Sequence, residues 1–245
     1  MIIVRLLLVK FVVTTGMFTG SGVNAAYLEG CDDPKYHQYI EQRFEYFESR
    51  NRRLLNDTQR DYQMSVSLNN NAYQVLTHLS RHIKYSAQFE PIETAQEKIG
   101  LAFEHAAQMS IEQKIAGEVY DGFSVENHNV EIARAWIAYR QGDIKRAIEK
   151  LSSAIEGVDS ALLGAFGPDF DFARQLYRDG HTASVVEYIK QTEYFWTGER
   201  PDALRAAWLN MIEAGCKIQF DSIDVITAEQ LGLGTVDVQH VLGLD

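Results

Sequence analysis

With 245 residues, 46% of them hydrophobic, the chain can bury a core as one domain or two small ones, which excludes disorder as its general state. A formal net charge of −11 argues against nucleic acid and anionic lipid as partners. Prolines number four, aromatics make up 11%, and the stretches between glycines carry a helical period, so an all-α fold is expected.

Residues 1–25 differ in composition from the rest. Arg5 and Lys10 are their only charges, and an apolar run extends from Phe11 to Phe18. That is the layout of a signal peptide, with Val23 and Ala25 at the small-residue positions a signal peptidase reads, so cleavage is expected after Ala25. Retention as a membrane anchor is the competing outcome. Lys10, Thr14, Thr15 and Gly16 interrupt the run, however, and it falls short of the roughly 20 apolar residues of a spanning helix. Leu28, Glu29, Gly30 and Cys31 also resemble a bacterial lipobox, with Glu29 where a small or apolar residue is usual. Losing Arg5 and Lys10 takes 23 basic residues to 21 against 34 acidic ones, a net charge of about −13. The acidity is spread along the chain, as on a solvated surface.

Cys31 and Cys216 stand near the two ends of the mature protein. An exported compartment permits them to pair across a very long loop; two buried free thiols are the other reading. Without a nearby histidine pair they do not make a zinc site.

Tyr36, Tyr39, Ile40, Phe44 and Phe47 fall at helical spacing and predict an amphipathic helix. A second helix is expected through Leu54, Leu55, Tyr62 and Val66, and Asn69 to Asn71 then read as a loop. A third carries Val75, Leu76, Leu79 and Ile83. Pro91 suits the start of a fourth, with Ile92, Ala95, Ile99, Phe103 and Ala106 on one face. Ser110 with Gln113 predicts a capping box that opens a helix through Ile111, Ile115 and Val119, ended by Asp121, Gly122 and Asn127 to Asn129.

From Val130 the pattern changes. Ala135, Trp136, Tyr139, Gln141-Gly142-Asp143, Ala147, Leu151 and Ala154 resemble one tetratricopeptide repeat, in its turn and second helix. Gly142 permits a left-handed turn, Asp143 can cap the next helix, and the alanines let two helices approach. Glu131 and Arg134 stand where that family carries its tryptophan and Leu-Gly. A frame shifted by 38 residues lays Ala173, Tyr177, Gly180, Val185, Val186 and Ile189 over Ala135, Tyr139, Gly142, Ala147, Ile148 and Leu151. A weaker copy, Trp208, Ile212 and Gly215, follows 35 residues later, with Pro201 at its helix start and no full second helix. The stretch from Phe166 to Gly215 is also similar to the C-terminal part of bacterial exported proteins and lipoproteins with degenerate tetratricopeptide repeats. That similarity implies a periplasmic setting and brings no catalytic residues. Thr227 with Gln230 reads as a last capping box.

The expected architecture is all-α: a signal peptide over 1–25, a helical region over 26–129, helical hairpins of a right-handed tetratricopeptide-like solenoid over 130–220, and a capping tail over 221–245. Stacked hairpins create a concave surface without catalytic groups. The expected function is therefore non-enzymatic binding of a protein or peptide in the periplasm or outside the cell. One specialised form is an immunity protein that neutralises a secreted toxin. Trp136, Arg140, Arg174, Trp196 and Trp208 are the partner-binding candidates, while Tyr139 and Tyr177, at equivalent repeat positions, are assigned to packing between helices. No cofactor, metal or stable membrane insertion after cleavage is expected.

The alternative is an exported metal-dependent or acid–base hydrolase. His78 and His82 share a helix face at metal-ligand spacing, without the glutamate of a zinc-protease motif. Glu104–His105, Glu126–His128 and Asp179–His181 each place an acid near an imidazole. No Gly-x-Ser-x-Gly elbow and no glycine-rich phosphate loop accompany them.

Overall fold

The computed structural model describes residues 30–120, 123–158 and 160–234, with the backbone alone over 116–120. The signal peptide, its cleavage site, Leu28 and Glu29, the side chain of Val119, Asp121 and Gly122, and the part of the tail after residue 234 therefore lie outside the described residues. Among the described residues the chain is all-helical, with eleven α-helices, one short 3-10 turn and no strand.

Helix α1 (Pro34–Ser67) starts where Asp33 accepts a hydrogen bond from the Lys35 N–H and Pro34 occupies the first turn. The two helices expected here are a single one. No glycine or proline breaks residues 35–67, so the helix runs on for about 50 Å. Its buried stripe changes character along the way, from Tyr36, Ile40, Phe44 and Phe47 to Asn51, Thr58 and Ser65. The asparagine loop follows, with Asn69 left-handed and Asn71 capping α2 (Ala72–Phe89). Val75, Leu76, Leu79 and Ile83 of α2 enter the core as expected.

Helix α3 (Ile92–Gln108) buries Ala95, Ile99 and Ala102, but Phe103 remains 55% exposed, so the apolar face is rotated from the expected one. Ser110 and Gln113 form the reciprocal capping box at 3.0 and 3.2 Å and open α4 (Ile111–Tyr120). Ile111 and Ile115 of α4 lie exposed.

Helix α5 (Ser124–Arg140) corrects the expected loop at Asn127 to Asn129, which are three helical residues. The break lies earlier, at left-handed Phe123, and Asn129 is buried with its amide donating to Ser80. The boundary drawn at 129/130 thus falls inside a helix, and α5 packs on α2 as well as on α6 (Ile144–Ser153). A short α7 (Ala161–Phe166), unforeseen, precedes the second hairpin of α8 (Asp171–Arg178) and α9 (Thr182–Gln191). Helix α10 (Glu199–Glu213) follows, then a non-helical stretch, then α11 (Ile223–Gln230). Thr227 is buried inside α11 and caps nothing; the carboxylate of Asp221 accepts from Ile223 at the true start.

Four helices end alike. After α5, Gly142 donates to Tyr139 and Asp143 to Ala138, the paired bonds that close a helix on a left-handed glycine. The same pair recurs at Gly180–His181, Gly215–Cys216 and Gly232–Leu233. Helix α8 touches α5 and α9 touches α6, so equivalent helices of the two hairpins are neighbours.

The two ends of the described chain meet. Cys31 and Cys216 form a disulfide with Cα atoms 4.6 Å apart. Beside it the Tyr36 hydroxyl donates to the Lys217 carbonyl, Lys217 pairs with Glu41 at 2.8 Å, and Arg43 pairs with Asp221 at 3.0 Å. One continuous core, from Tyr36 to Ala228, joins the N-terminal helices to the hairpins. No helix among the described residues is long and apolar enough to cross a membrane.

Candidate binding cleft

Closing α1 over the hairpins leaves a cleft of about 370 Å³ between α1, α2, α5 and α8. Three of the expected partner-binding residues line it: Trp136 and Arg140, one turn apart on α5, and Arg174 on α8. Arg178 lies one turn beyond Arg174, and Arg52 faces them from α1.

These side chains are not equally available. Arg174 is buried: its Nε donates to the Gln219 carbonyl at 2.8 Å, its guanidinium pairs with Asp171, and it stacks 3.7 Å from the Phe47 ring centroid. That makes it a tie between α8, α1 and the C-terminal segment. Arg140 donates to the carbonyls of Ala87 and Glu90 at the end of α2 and lies exposed. Arg52 pairs with Glu48 on its own helix. Arg178 is exposed near the Phe44 ring.

Two buried polar atoms of cleft residues find no hydrogen-bond partner among the described residues: the Trp136 indole nitrogen and the Asn51 carbonyl oxygen. Trp136 is 8% exposed and Asn51 4%. Asn51 gives its amide nitrogen to Gln88 at 3.2 Å and to Asp171 at 2.9 Å. Both partners are acceptors, because Gln88 spends its own nitrogen on the Lys84 carbonyl. The amide orientation is thereby fixed and its oxygen is left over.

Trp196 and Trp208 lie elsewhere, in an aromatic core around Phe170, with Trp208 and Phe170 centroids 4.8 Å apart. The Trp208 indole donates to buried Asp224 at 2.9 Å. Burial pushes that carboxyl up to about 7, and the charge of Asp221 acts in the same sense against three N–H donors. Both tryptophans are corrected from groove to core, since their rings fill the space between helices around Phe170.

Each acid–imidazole pair is likewise resolved. His82 is buried, with Nδ1 against the Thr58 hydroxyl at 3.1 Å and Nε2 against the Lys98 ammonium at 2.8 Å. Thr58 gives its own proton to the Leu54 carbonyl, so His82 is neutral, its Nδ1–H donating and its Nε2 accepting. Burial and Lys98 lower its pKa to about 4. Both nitrogens are engaged, which leaves no lone pair for the metal site considered with His78. His128 meets the Ala154 carbonyl through Nδ1 and accepts from the Asp169 N–H through Nε2, while Glu126 bonds to Thr77. Asp179 accepts from Tyr139, and His181 belongs to the helix-ending turn. Glu104 lies exposed on α3 beside half-buried His105. Among the described residues no three His, Cys, Asp or Glu groups gather as metal ligands.

A second recess of about 650 Å³ lies outside the hairpins, between α3, α4 and α5, walled by Leu76, Phe103, Met109, Ile115 and Val130. Sequence reasoning missed it, as it missed Asn51, Gln88 and Arg178 in the cleft. Asn51 carried the available signal, continuing the apolar stripe of Ile40, Phe44 and Phe47 at the same helical spacing.

No protein-family model matches this chain, nor does any curated protein or solved structure.

Proposed function

We propose that this is a non-enzymatic, exported helical-repeat protein that binds a protein or peptide partner through the cleft between α1, α2, α5 and α8. In this reading α5–α6, α8–α9 and α10 with the segment after it are successive turns of a tetratricopeptide-like, right-handed solenoid, and α1 with α2 covers its first face. The four equivalent glycine-closed helix ends support that assignment, as does the neighbouring of α5 with α8 and of α6 with α9.

The observation that carries the binding role is the pairing, in one concave site, of exposed Arg140 and Arg178 with two unsatisfied buried polar atoms. Native proteins leave few buried polar groups unpaired, and a binding site is where they have a reason to persist. The occupied ring nitrogens of His82 and His128 weigh against acid–base or metal chemistry at those two histidines. Neutralising a secreted toxin is one role that an acidic, exported protein of this size suits.

Capture from the exported fraction tests the reading, with the charge-reversed variant Arg140→Glu/Arg178→Glu as control. Wild type should retain a partner that the variant loses. Equal retention by both, or no partner for either together with turnover of a model ester or peptide, would overturn it.

A further inference from the structure

The cleft residues also indicate what part of a partner is gripped, a step that rests on the binding role just proposed. Arg140 and Arg178 are each the last residue of their helix, 38 positions apart, so they are the same position in consecutive hairpins. Trp136 and Arg174 are the corresponding pair one turn earlier. Arg174 is consumed by Asp171 and Gln219, but neither Arg140 nor Arg178 forms an ion pair among the described residues.

Two residues that line the cleft carry one spare donor and one spare acceptor, the buried Trp136 indole N–H and the buried Asn51 oxygen. A peptide unit offers the complementary set, a carbonyl and an N–H, and a carboxylate offers the charge that two guanidinium groups select. Arg140 already donates to the Ala87 and Glu90 carbonyls, but neither it nor Arg178 faces an acid in an ion pair among the described residues. The wider protein is acidic at −11, so four arginines against Glu48 and Asp171 make this a local positive site that draws anions in. A volume of about 370 Å³ sits at the low end of ligand sites, roughly 300 to 1,000 Å³, and fits an anchoring residue better than a long segment. We infer that the cleft takes a carboxylate carried by a peptide, either an acidic side chain or a C-terminus, with Arg140 and Arg178 holding the charge and Trp136 and Asn51 the adjoining peptide unit.

The indole N–H resonances of the intact protein report this directly. Trp136→Phe assigns one of them, and Trp208, bonded to Asp224 in the core, is the internal control. The probes are Ac-Gly-Glu-Gly-NH2 against Ac-Gly-Gln-Gly-NH2, and Ac-Gly-Gly-Gly-OH against its amide. We expect a carboxylate-bearing probe to shift the Trp136 resonance and leave Trp208 in place. Arg140→Gln/Arg178→Gln, with both sites exposed and the fold checked by circular dichroism, should weaken that probe by about tenfold or more. The first pair reports a side-chain carboxylate, the second a C-terminal one.

An equal response to the neutral analogues overturns the carboxylate assignment while leaving peptide binding intact. Unchanged affinity in the double variant overturns the two arginines. No shift of Trp136 with any probe overturns the inference as a whole; the binding role itself then stands or falls on the capture experiment.

Discussion

The hydroxyl of Tyr177 donates to the carbonyl of Cys216 at 2.8 Å, joining the second hairpin to the turn that ends α10. In the first hairpin, 38 positions earlier, the Tyr139 hydroxyl donates to the Asp179 carboxylate, at the turn that ends α8, at 2.6 Å. Tyrosines at the same place in the two hairpins thus each reach the following helix-ending turn. Tyr177→Phe should lower unfolding free energy by about 1 kcal/mol in urea titrations, and Tyr139→Phe by less, because its acceptor is exposed and water can replace it.

The disulfide spans 185 positions, and its chief effect falls on the unfolded chain. Replacing Cys31 and Cys216 together by serine should cost on the order of 3 to 5 kcal/mol. Reductant should shift the wild-type urea midpoint toward that of the variant and leave the variant unmoved.

Gly167 has φ +80°, and an added Cβ there would come within 2.7 Å of the Trp196 ring. Gly167→Ala therefore meets both backbone strain and overpacking, and a loss of roughly 2 to 4 kcal/mol is expected. Gly180→Ala, with φ +88° and open space, should lose only the backbone part, roughly 1 kcal/mol. Thermal melts of the two variants side by side separate the contributions.

Arginines 174 and 178 should separate structure from binding. Arg174→Ala removes the bond to Gln219, the pair with Asp171 and the stack on Phe47, and should cost roughly 2 to 3 kcal/mol. Arg178→Ala should stay within about 0.5 kcal/mol of wild type, as exposed substitutions do. Chemical unfolding of both variants measures it.

Acid should weaken the fold first through its buried histidines. His82 titrates near 4 when folded and near 6.5 when unfolded, so in that interval the unfolded chain binds the extra proton. Its contribution is complete above about 6.5 and is lost as pH falls toward 4. Burial lowers His128 in the same direction. His82→Gln should flatten the fall in urea midpoint between pH 6.5 and 4, relative to wild type.

Helical character was legible over most of the chain, Asn127 to Asn129 and α7 excepted, because the 3.6-residue period needs no knowledge of partners. The hairpins were legible in finer detail, since Gly142, Gly180 and Gly215 mark turns whose geometry is local. What the sequence did not disclose is long-range. Nothing local says that α1 continues through Arg50 to Arg53 as one helix, or that its middle faces α8, so Asn51 and Gln88 could not be joined to Trp136 and Arg140. For the same reason Trp196 and Trp208 looked like groove residues: an aromatic at helical spacing has the same period whether it faces a partner or a neighbouring helix.

Site-specific photo-crosslinking in the producing cells tests the central claim most directly. A benzophenone amino acid at position 178, in the cleft, should give a discrete adduct with a single partner, and the same probe at Lys145, exposed on α6, should not. Adducts of equal yield at both positions, or at 145 alone, would contradict the account.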